Sequence, residues 1–189
     1  MIATKDRVRI VETRVLSDDW YLLKKTTFDF LRRDGVWQRQ SRETYDRGDG
    51  AVILLFNRQA QTVILTRQFR FPVFVNGHDG MLIEAAAGLL DNASPEARIR
   101  AEAEEETGYF VQSVEKVFEA YMSPGSVTEK LHFSSANIRR ATASTRVAGW
   151  RRRGKIWRCS SCRWRKPCRR FARARSLTPR PSCCCSLSP

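Results

Sequence analysis

Three glutamates, Glu102, Glu105 and Glu106, are spaced so that they can share one face of a helix. Residues three and four positions apart are neighbours on a helix surface. Carboxylates this close repel one another unless the face lies in water or holds a cation. Their oxygens suit Mg²⁺ or Mn²⁺, which keep positions for water and substrate phosphate. Such metals neutralise a diphosphate and lower the pKa of an attacking water, so the pattern indicates pyrophosphate hydrolysis. Taken alone, the acids favour the alternative of a solvated acidic face, and it is the surrounding sequence that favours the catalytic role.

A helix between Ser94 and Gly108 is predicted to carry these glutamates. Ser94 is a favourable N-cap, Pro95 fits the first helical position, and Gly108 fits the position after the last turn. Short apolar runs typical of buried strands surround this helix, at residues 51–56, 62–69, 81–86, 114–121 and 127–133. Residues 8–45 are strand-like with breaks at 17–19 and 33–35, which predicts a small antiparallel sheet. The sequence therefore predicts an α/β domain preceded by an N-terminal sheet.

The order of residues around the glutamates resembles the Nudix box, a glycine followed by Arg-Glu-aliphatic-x-Glu-Glu-x-Gly-aliphatic. Here Gly88-Leu89-Leu90-Asp91 is followed by Arg100-Ala101-Glu102-Ala103-Glu104-Glu105-Glu106-Thr107-Gly108-Tyr109. The end of the box matches closely. The interval from glycine to glutamate is one residue short, Ser94 or Glu96 stands near the usual first glutamate, and Ala101 occupies the usual arginine position. We expect Arg100 to compensate in part for that arginine.

Four further segments resemble the nucleoside-diphosphate-sugar pyrophosphatase group of the Nudix hydrolases, the group of GDP-mannose pyrophosphatase and its ADP-ribose-cleaving relatives. They are Tyr45-Asp46-Arg47-Gly48, Arg67-Gln68-Phe69-Arg70, Glu84-Ala85-Ala86-Ala87-Gly88-Leu89-Leu90-Asp91 and Tyr121-Met122-Ser123-Pro124-Gly125. The resemblance covers residues 8–133. It implies a Nudix α/β/α sandwich with a mixed sheet, preceded by a small N-terminal antiparallel β-sheet. It also implies Mg²⁺-dependent hydrolysis of a nucleoside diphosphate sugar to a nucleoside monophosphate and a sugar 1-phosphate or ribose 5-phosphate.

The same resemblance implies a set of site residues. The catalytic residues would be Glu102, Glu105 and Glu106. The metal would be held by the carbonyl of Ala87 and the carboxylates of Glu102 and Glu106. Arg70 would bind phosphate, and the substrate would be lined by Gly88, Leu89, Glu106 and Glu129. In a homodimer whose N-terminal sheets exchange between subunits, the nucleotide of the partner subunit would be contacted by Trp20, Ser41, Arg42 and Glu43.

Several of these side chains fit a purely structural role as well. Trp20 fits the packed interior of a sheet as readily as it fits base stacking. Arg42 and Glu43 fit a cross-strand charge pattern. Arg70 fits an exposed surface position, but it follows a buried strand and precedes a Pro/Gly loop. That position suits a bidentate grip on a diphosphate, so we favour the functional role.

Charge and cysteine content divide the chain near residue 138. Sixteen of the 34 Lys and Arg residues lie in residues 139–189, which contain no Asp or Glu. Residues 1–138 therefore carry 18 basic and 20 acidic side chains, a net charge of −2 against +14 for the whole chain. All six cysteines also lie in this tail, so the body is typical of a reduced, cytoplasmic protein. The chain has no signal-like apolar stretch and no apolar run of about 18 residues, which argues against secretion and a membrane partner.

The basic tail has three interpretations. Arginines beside tryptophans favour nucleic-acid binding, with Cys159-Ser160-Ser161-Cys162 as half of a zinc site, but no second Cys or His pair completes it. Disorder is the second interpretation, although arginine with tryptophan and cysteine is not its usual composition. The third is a frameshift near Phe133–Ser134. We favour the frameshift and expect no nucleic-acid partner.

The genetic code alone allows the frameshift to be tested on this sequence. With the frame moved back by one nucleotide, Arg158–Pro167 can be read as Val-Leu-Glu-Leu-Pro-Leu-Ala-Glu-Ala. Phe171–Ser186 can be read as Arg-Ala-Gly-Glu-Ile-Ala-Asp-Ala-Lys-Thr-Val-Leu-Leu-Leu-Gln. These are a strand and an amphipathic helix, and they resemble the C-terminus of the group. Ala148-Gly149-Trp150 can be read as the Gly-Gly-Val of its glycine-rich loop, which supplies a further glutamate to the site.

We therefore expect three regions. Residues 1–47 form the dimerising N-terminal sheet, residues 48–133 an incomplete Nudix core, and residues 134–189 an out-of-frame tail that is non-native or disordered. The leading hypothesis is a Mg²⁺-dependent hydrolase, with Mn²⁺ as the other candidate ion, acting on a nucleotide sugar and with activity reduced by the tail. The alternative is a non-catalytic nucleic-acid-binding protein acting through the basic tail.

Overall fold

A computed structural model describes residues 4–138 of this 189-residue chain. These residues form two compact units, each assembled from several stretches of sequence. Unit 1 contains residues 4–50, Leu89–Asp91 and Glu119–Leu131. Unit 2 contains Ala51–Gly88, Asn92–Phe118 and residues 132–138. The predicted division at residues 47 and 133 stays a prediction.

Unit 1 is built on a three-stranded antiparallel sheet of β1 (Val8–Asp18), β2 (Leu22–Leu31) and β3 (Trp37–Asp46), preceded by a 3-10 turn at Thr4–Arg7. Asp18 pairs with Leu22 across the first turn, which lies at residues 19–21 and overlaps the predicted break at residues 17–19 only at Asp19. The second turn is closed by a hydrogen bond from Arg32 N to Val36 O, with Gly35 at a φ of 82° that favours glycine. The predicted N-terminal sheet is confirmed.

A second segment of unit 1 is joined to the end of β3 by backbone hydrogen bonds. Tyr45 N donates to Ser126 O at 2.7 Å, and Thr128 N donates to Tyr45 O at 3.1 Å. Lys130 N donates to the Asp49 side chain at 2.9 Å. The segment around residue 128 is therefore fixed to the loop that follows β3.

The other strands are β4 (Gly50–Asn57), β5 (Thr62–Ile64), β6 (Thr66–Phe69), β7 (Met81–Glu84), β8 (Ala86–Leu89), β9 (Glu115–Tyr121) and β10 (Lys130–Asn137). Five of them form one mixed sheet in the order β5-β4-β10-β9, with β8 also paired to β4. The alternate residues Ala51, Ile53 and Leu55 of the central strand β4 are fully buried. Burial of the two larger side chains, Ile53 and Leu55, contributes about 1.5–3 kcal/mol each.

Two predicted strands were wrong in extent. The run 62–69 is divided at Leu65 into β5 and β6, and the run 81–86 is divided at Ala85 into β7 and β8. In both cases the chain leaves one sheet for another, because β6 and β7 form their own antiparallel pair. The Pro/Gly loop between them also holds a short helix, α1 (Phe71–Phe74), with a proline in its first turn.

The predicted helix is confirmed as α2 (Pro95–Thr107). The Ser94 side chain accepts a hydrogen bond from Ala97 N, and Gly108 ends the helix in the left-handed region with a φ of 72°. The buried face of the helix consists of Ile99, Glu102, Ala103 and Thr107. Within residues 4–138, no helix is long and apolar enough to cross a membrane.

Candidate active site

Glu102 lies fully buried on the inward face of α2, beside Ile99 and Ala103. A buried carboxylate is costly unless a charge or hydrogen bonds compensate it. Arg98, one turn earlier, donates from its guanidinium to Oε1 of Glu102 in an i,i+4 ion pair. The arginine side chain is 22% exposed and the glutamate side chain 1%. The helix therefore supplies its own cation to a carboxylate inside the protein.

Arg100, which we expected to compensate in part for Ala101, forms an i,i+4 ion pair on α2, and the compensation itself stays a prediction. Arg100 bonds to the exposed Glu96 at 2.5 Å, whereas Arg98 pairs with Glu102. Both contacts join residues four positions apart, which are neighbours on a helix. The rotation of α2 decides which arginine faces the interior, and the burial of Ile99 and Ala103 sets that rotation.

The three predicted catalytic glutamates are not equivalent. Glu106 is half-buried with its Oε2 atom inside the protein, whereas Glu105 is exposed. A helix turns by about 100° per residue, so Glu102 and Glu106 lie within about 40° of each other. Glu105 lies about 60° to the other side of Glu102 by the same geometry. Among residues 4–138, no group of three or more Asp, Glu, His or Cys side chains is arranged to hold a metal ion.

Gly88 brings backbone directly against the carboxylate of Glu102. A Cβ atom built on Gly88 would lie 2.6 Å from Cγ of Glu102 and closer still to the carboxylate. The carbonyl of Ala87 belongs to the same peptide group as the Gly88 nitrogen. Backbone carbonyls and carboxylates are hard oxygen donors of the kind that Mg²⁺ and Mn²⁺ accept. The residues at this point of unit 2 therefore fit a divalent metal, with glycine required for space.

Arg70, the predicted phosphate ligand, is held by Glu84. Its guanidinium donates to the Glu84 carboxylate through Nη2 at 2.8 Å and through Nε at 3.1 Å. Gln68 donates to the same carboxylate at 2.9 Å. Sequence reasoning missed this pairing, because it depends on how β6 and β7 align. The Arg70 side chain is 43% exposed, so its guanidinium is oriented and still reachable from solvent.

The predicted nucleotide contacts lie on the sheet of unit 1. Trp20 is 84% exposed, so the structure does not place it in a sheet interior. The Ser41 hydroxyl is hydrogen-bonded to that of Thr27 at 2.9 Å. Arg42 donates to the carbonyl of Ser41 at 2.8 Å, and Glu43 lies opposite Lys25 in the strand register. Lys25 is therefore the oppositely charged residue that a cross-strand charge pattern at Glu43 requires.

Glu129 and Leu89 also belong to unit 1. The side chain of Glu129 is 13% exposed and forms an ion pair with Arg47 at 3.4 Å. Leu89 is half-buried at the end of β8. The predicted residues thus fall into two groups: unit 2 holds Arg70, Ala87, Gly88, Glu102, Glu105 and Glu106, and unit 1 holds Trp20, Ser41, Arg42, Glu43, Leu89 and Glu129.

The carboxyl of Asp46, in unit 1, has a pKa below its usual value. A hydrogen bond from the Thr128 hydroxyl, at 3.1 Å, lowers the pKa of this carboxyl, and the Gly48 N–H lowers it further. The nearby Lys24 ammonium acts in the same direction. The ionised form of Asp46 therefore helps to hold the segment around residue 128.

The predictions for the tail lie outside the described residues. They are the half zinc site at Cys159 and Cys162, the re-read strand and helix, and the non-native or disordered state of residues 139–189. For residues 134–138 that expectation was wrong, because β10 continues to Asn137 and the side chains of Ala136 and Ile138 are buried in the core.

Comparison with known proteins gives a consistent picture. Residues 7–45 match the family described as the GDP-mannose pyrophosphatase NudK N-terminal domain. The GDP-mannose pyrophosphatase of Pectobacterium atrosepticum is 63% identical over 130 residues, which is 68% of this chain and 67% of the relative. That of Klebsiella pneumoniae is 52% identical over 143 residues, 75% of this chain and 72% of the relative. That of Yersinia enterocolitica is 56% identical over 131 residues, 69% of each chain.

One solved structure, described as an ADP compounds hydrolase, is similar with a TM-score of 0.55 at 16% identity. It covers 69% of this chain and 67% of that chain. At this identity the likeness concerns the fold alone, and it confirms the predicted α/β architecture with a mixed sheet and a separate N-terminal antiparallel sheet. These findings give no support to the alternative of a nucleic-acid-binding protein.

Proposed function

This chain belongs to the GDP-mannose pyrophosphatase group of the Nudix hydrolases, and we propose that it hydrolyses the diphosphate of a nucleoside diphosphate sugar of the GDP-mannose or ADP-ribose type. The products are a nucleoside monophosphate and a sugar 1-phosphate or ribose 5-phosphate. The observation that carries the proposal is the buried Glu102 carboxylate against Gly88, with Glu106 one helical turn later. The activity named for relatives at 52–63% identity supports it.

The proposed metal ligands are the carbonyl of Ala87 and the carboxylates of Glu102 and Glu106. Mg²⁺ is the proposed ion and Mn²⁺ the alternative, because both accept hard oxygen donors and leave positions for water and phosphate. When bound, the ion neutralises the diphosphate and makes an attacking water more acidic. Arg98 orients Glu102, since it donates to that carboxylate inside the protein. Glu105, the third proposed catalytic residue, is exposed.

Arg70 is proposed to bind a phosphate of the substrate. Its fork of N–H donors suits two oxygens at once, and Glu84 fixes the plane of the guanidinium beforehand. The rest of the substrate is proposed to be lined by Gly88, Leu89, Glu106 and Glu129.

We propose a homodimer in which the N-terminal sheet of one subunit contacts the nucleotide of the other. The 84% exposure of Trp20 supports a role in stacking on a base, since a buried indole could not reach one. The other proposed contacts on this sheet are Ser41, Arg42 and Glu43. A cytoplasmic location is proposed from the absence of cysteine in residues 1–138.

We propose further that residues 134–189 are out of frame and that the chain as written has reduced activity. The alignments to relatives extend over 130–143 residues, a length close to that of the body with net charge −2. The body is followed by a tail with sixteen Lys and Arg residues and no Asp or Glu. The re-read tail yields a strand and a helix, which would complete the core that residues 48–133 begin.

The proposed function is tested by kinetics on a panel of nucleotide sugars with and without Mg²⁺. GDP-mannose and ADP-ribose are compared, on both the given chain and a frame-restored chain. Glu106→Gln removes a proposed metal ligand and is expected to lower kcat/KM at least about 100-fold, since metal catalysis contributes several kcal/mol. Glu104→Gln changes an exposed glutamate of the same helix and is the matched control, with less than about threefold change. Equal losses in the two variants would contradict the proposal.

A further inference from the structure

An uninterrupted series of contacts joins two of the proposed substrate residues within unit 1. The indole of Trp20 is stacked on the ring of Tyr21, with centroids 5.9 Å apart and planes 22° apart. The guanidinium of Arg47 lies 5.6 Å from the centroid of Tyr21. Its Nε atom forms an ion pair with Glu129 at 3.4 Å. Arg47 therefore contacts an aromatic ring with one part of its side chain and a carboxylate with another.

The surroundings of Tyr21 restrict its movement from a further side. Tyr45 meets it edge to face, with centroids 5.7 Å apart and planes 86° apart. The backbone of Tyr45 is hydrogen-bonded to Ser126 and Thr128, in the segment that continues to Glu129. The ring that supports Trp20 and the carboxylate of Glu129 are thus fixed by the same stretch of chain.

Arginine is suited to both contacts made by Arg47. Its planar guanidinium is attracted to the face of an aromatic ring, while its N–H groups point outward in the plane and can meet a carboxylate. Lysine provides the charge without the flat surface. The side chain of Arg47 is 40% exposed, so salt weakens these contacts, and their importance here is orientation.

We propose that Arg47 is a positioning residue for nucleotide binding. It holds Tyr21 under Trp20, which presents the indole to the base of the nucleotide bound by the partner subunit, and it directs the Glu129 carboxylate toward the substrate of its own subunit. This inference rests on the proposed function, because Trp20 and Glu129 are binding residues only if a nucleotide is the ligand. Arg47 itself is not required to touch the substrate.

The test is isothermal titration of the full chain with GMP and with AMP in the presence of Mg²⁺. Arg47→Ala is expected to weaken binding of the preferred nucleotide about tenfold. Arg47→Lys keeps the charge opposite Glu129 and is expected to recover part of the loss, with binding about threefold weaker than in the unchanged chain. In steady-state kinetics with GDP-mannose or ADP-ribose, Arg47→Ala is expected to raise KM by a similar factor and to change kcat less than threefold.

Arg9→Ala is the matched control, because the Arg9 guanidinium lies 3.9 Å from the centroid of Trp37 on the same sheet, away from the proposed contacts. It is expected to lower the melting temperature as much as Arg47→Ala but to leave nucleotide binding within twofold. Equal binding by Arg47→Ala and Arg9→Ala would overturn the positioning role while leaving the proposed function in place. If neither the chain as written nor the frame-restored chain binds either nucleotide, the proposed function fails, and this inference fails with it.

Discussion

Gly88 leaves the space that the carboxylate of Glu102 occupies. The two residues come from a strand and a helix of the same unit, and any Cβ at position 88 would overlap the glutamate side chain. Glu102 is fully buried, and Arg98 donates to its carboxylate. The close approach of the Gly88 backbone to a proposed metal ligand is possible because Gly88 has no side chain.

Gly88→Ala should therefore abolish most activity. The methyl group must displace the Glu102 side chain or the strand, so we expect kcat/KM to fall at least about 100-fold and unfolding free energy to fall by about 1–3 kcal/mol. Gly125→Ala is the control, because a Cβ there meets nothing within 4 Å. Kinetics and urea unfolding of both variants provide the comparison. Normal activity in Gly88→Ala would show that the position of Glu102 has no catalytic importance.

Arg98→Ala should destabilise the fold. The change leaves the buried Glu102 carboxylate without this cation, for which we expect a loss of about 3 kcal/mol in unfolding free energy. Arg100→Ala breaks the exposed pair with Glu96 and should cost about 0.5 kcal/mol. Denaturant unfolding measures both. If Arg100→Ala lost more unfolding free energy than Arg98→Ala, Arg100 rather than Arg98 would be the arginine that stabilises the buried Glu102.

The hydrogen bond between Thr128 and Asp46 should be visible in the pH dependence of stability. A carboxyl whose pKa is lowered in the folded state contributes stability above its unfolded pKa, near 3.8, and loses it as pH falls through the lower folded value. Thr128→Val removes the main cause of the shift, so the pKa of Asp46 should rise toward 3.8. The variant should be less stable than the unchanged chain at pH 7, and that difference should shrink below pH 3.8. Unfolding at pH 7 and pH 3, with NMR titration of Asp46, tests this. A stability difference that does not vary with pH would contradict it.

The chain as written should show under about a hundredth of the activity of a frame-restored chain. This corresponds to a loss of ~2.7 kcal/mol or more in transition-state stabilisation. The reason is that the glycine-rich loop and the covering strand and helix would be replaced by residues 139–189. Hydrolysis rates of the two purified proteins measure the difference. Comparable rates would refute the frameshift account, as would resequencing that finds no way to restore a long open frame.

Local signals in the sequence were sufficient for several elements. Ser94 and Gly108 gave the limits of α2, because caps and left-handed glycines act on adjacent backbone groups. The breaks at residues 17–19 and 33–35 gave the turns of the N-terminal sheet for the same reason. The spacing of Glu102 and Glu106 correctly predicted neighbours on one helix face.

Features that depend on distant residues could not be predicted in this way. The chain passes from one sheet to another at Leu65. The run of residues 62–69 contains no Gly, Pro or charged break at that position that would predict the change. The contact between Arg70 and Glu84 requires the register of β6 with β7. The choice of Arg98 over Arg100 requires the orientation of α2 in the core. The exposure of Trp20 was one of two open interpretations, and only the structure separated them.

The most direct test of the account is identification of the products formed by the frame-restored chain from GDP-mannose and from ADP-ribose in Mg²⁺. Cleavage within the diphosphate should release GMP with mannose 1-phosphate, or AMP with ribose 5-phosphate. It should be lost in Glu106→Gln and retained in Glu104→Gln. Release of an intact nucleoside diphosphate and free sugar, or undiminished cleavage in Glu106→Gln, would contradict the account.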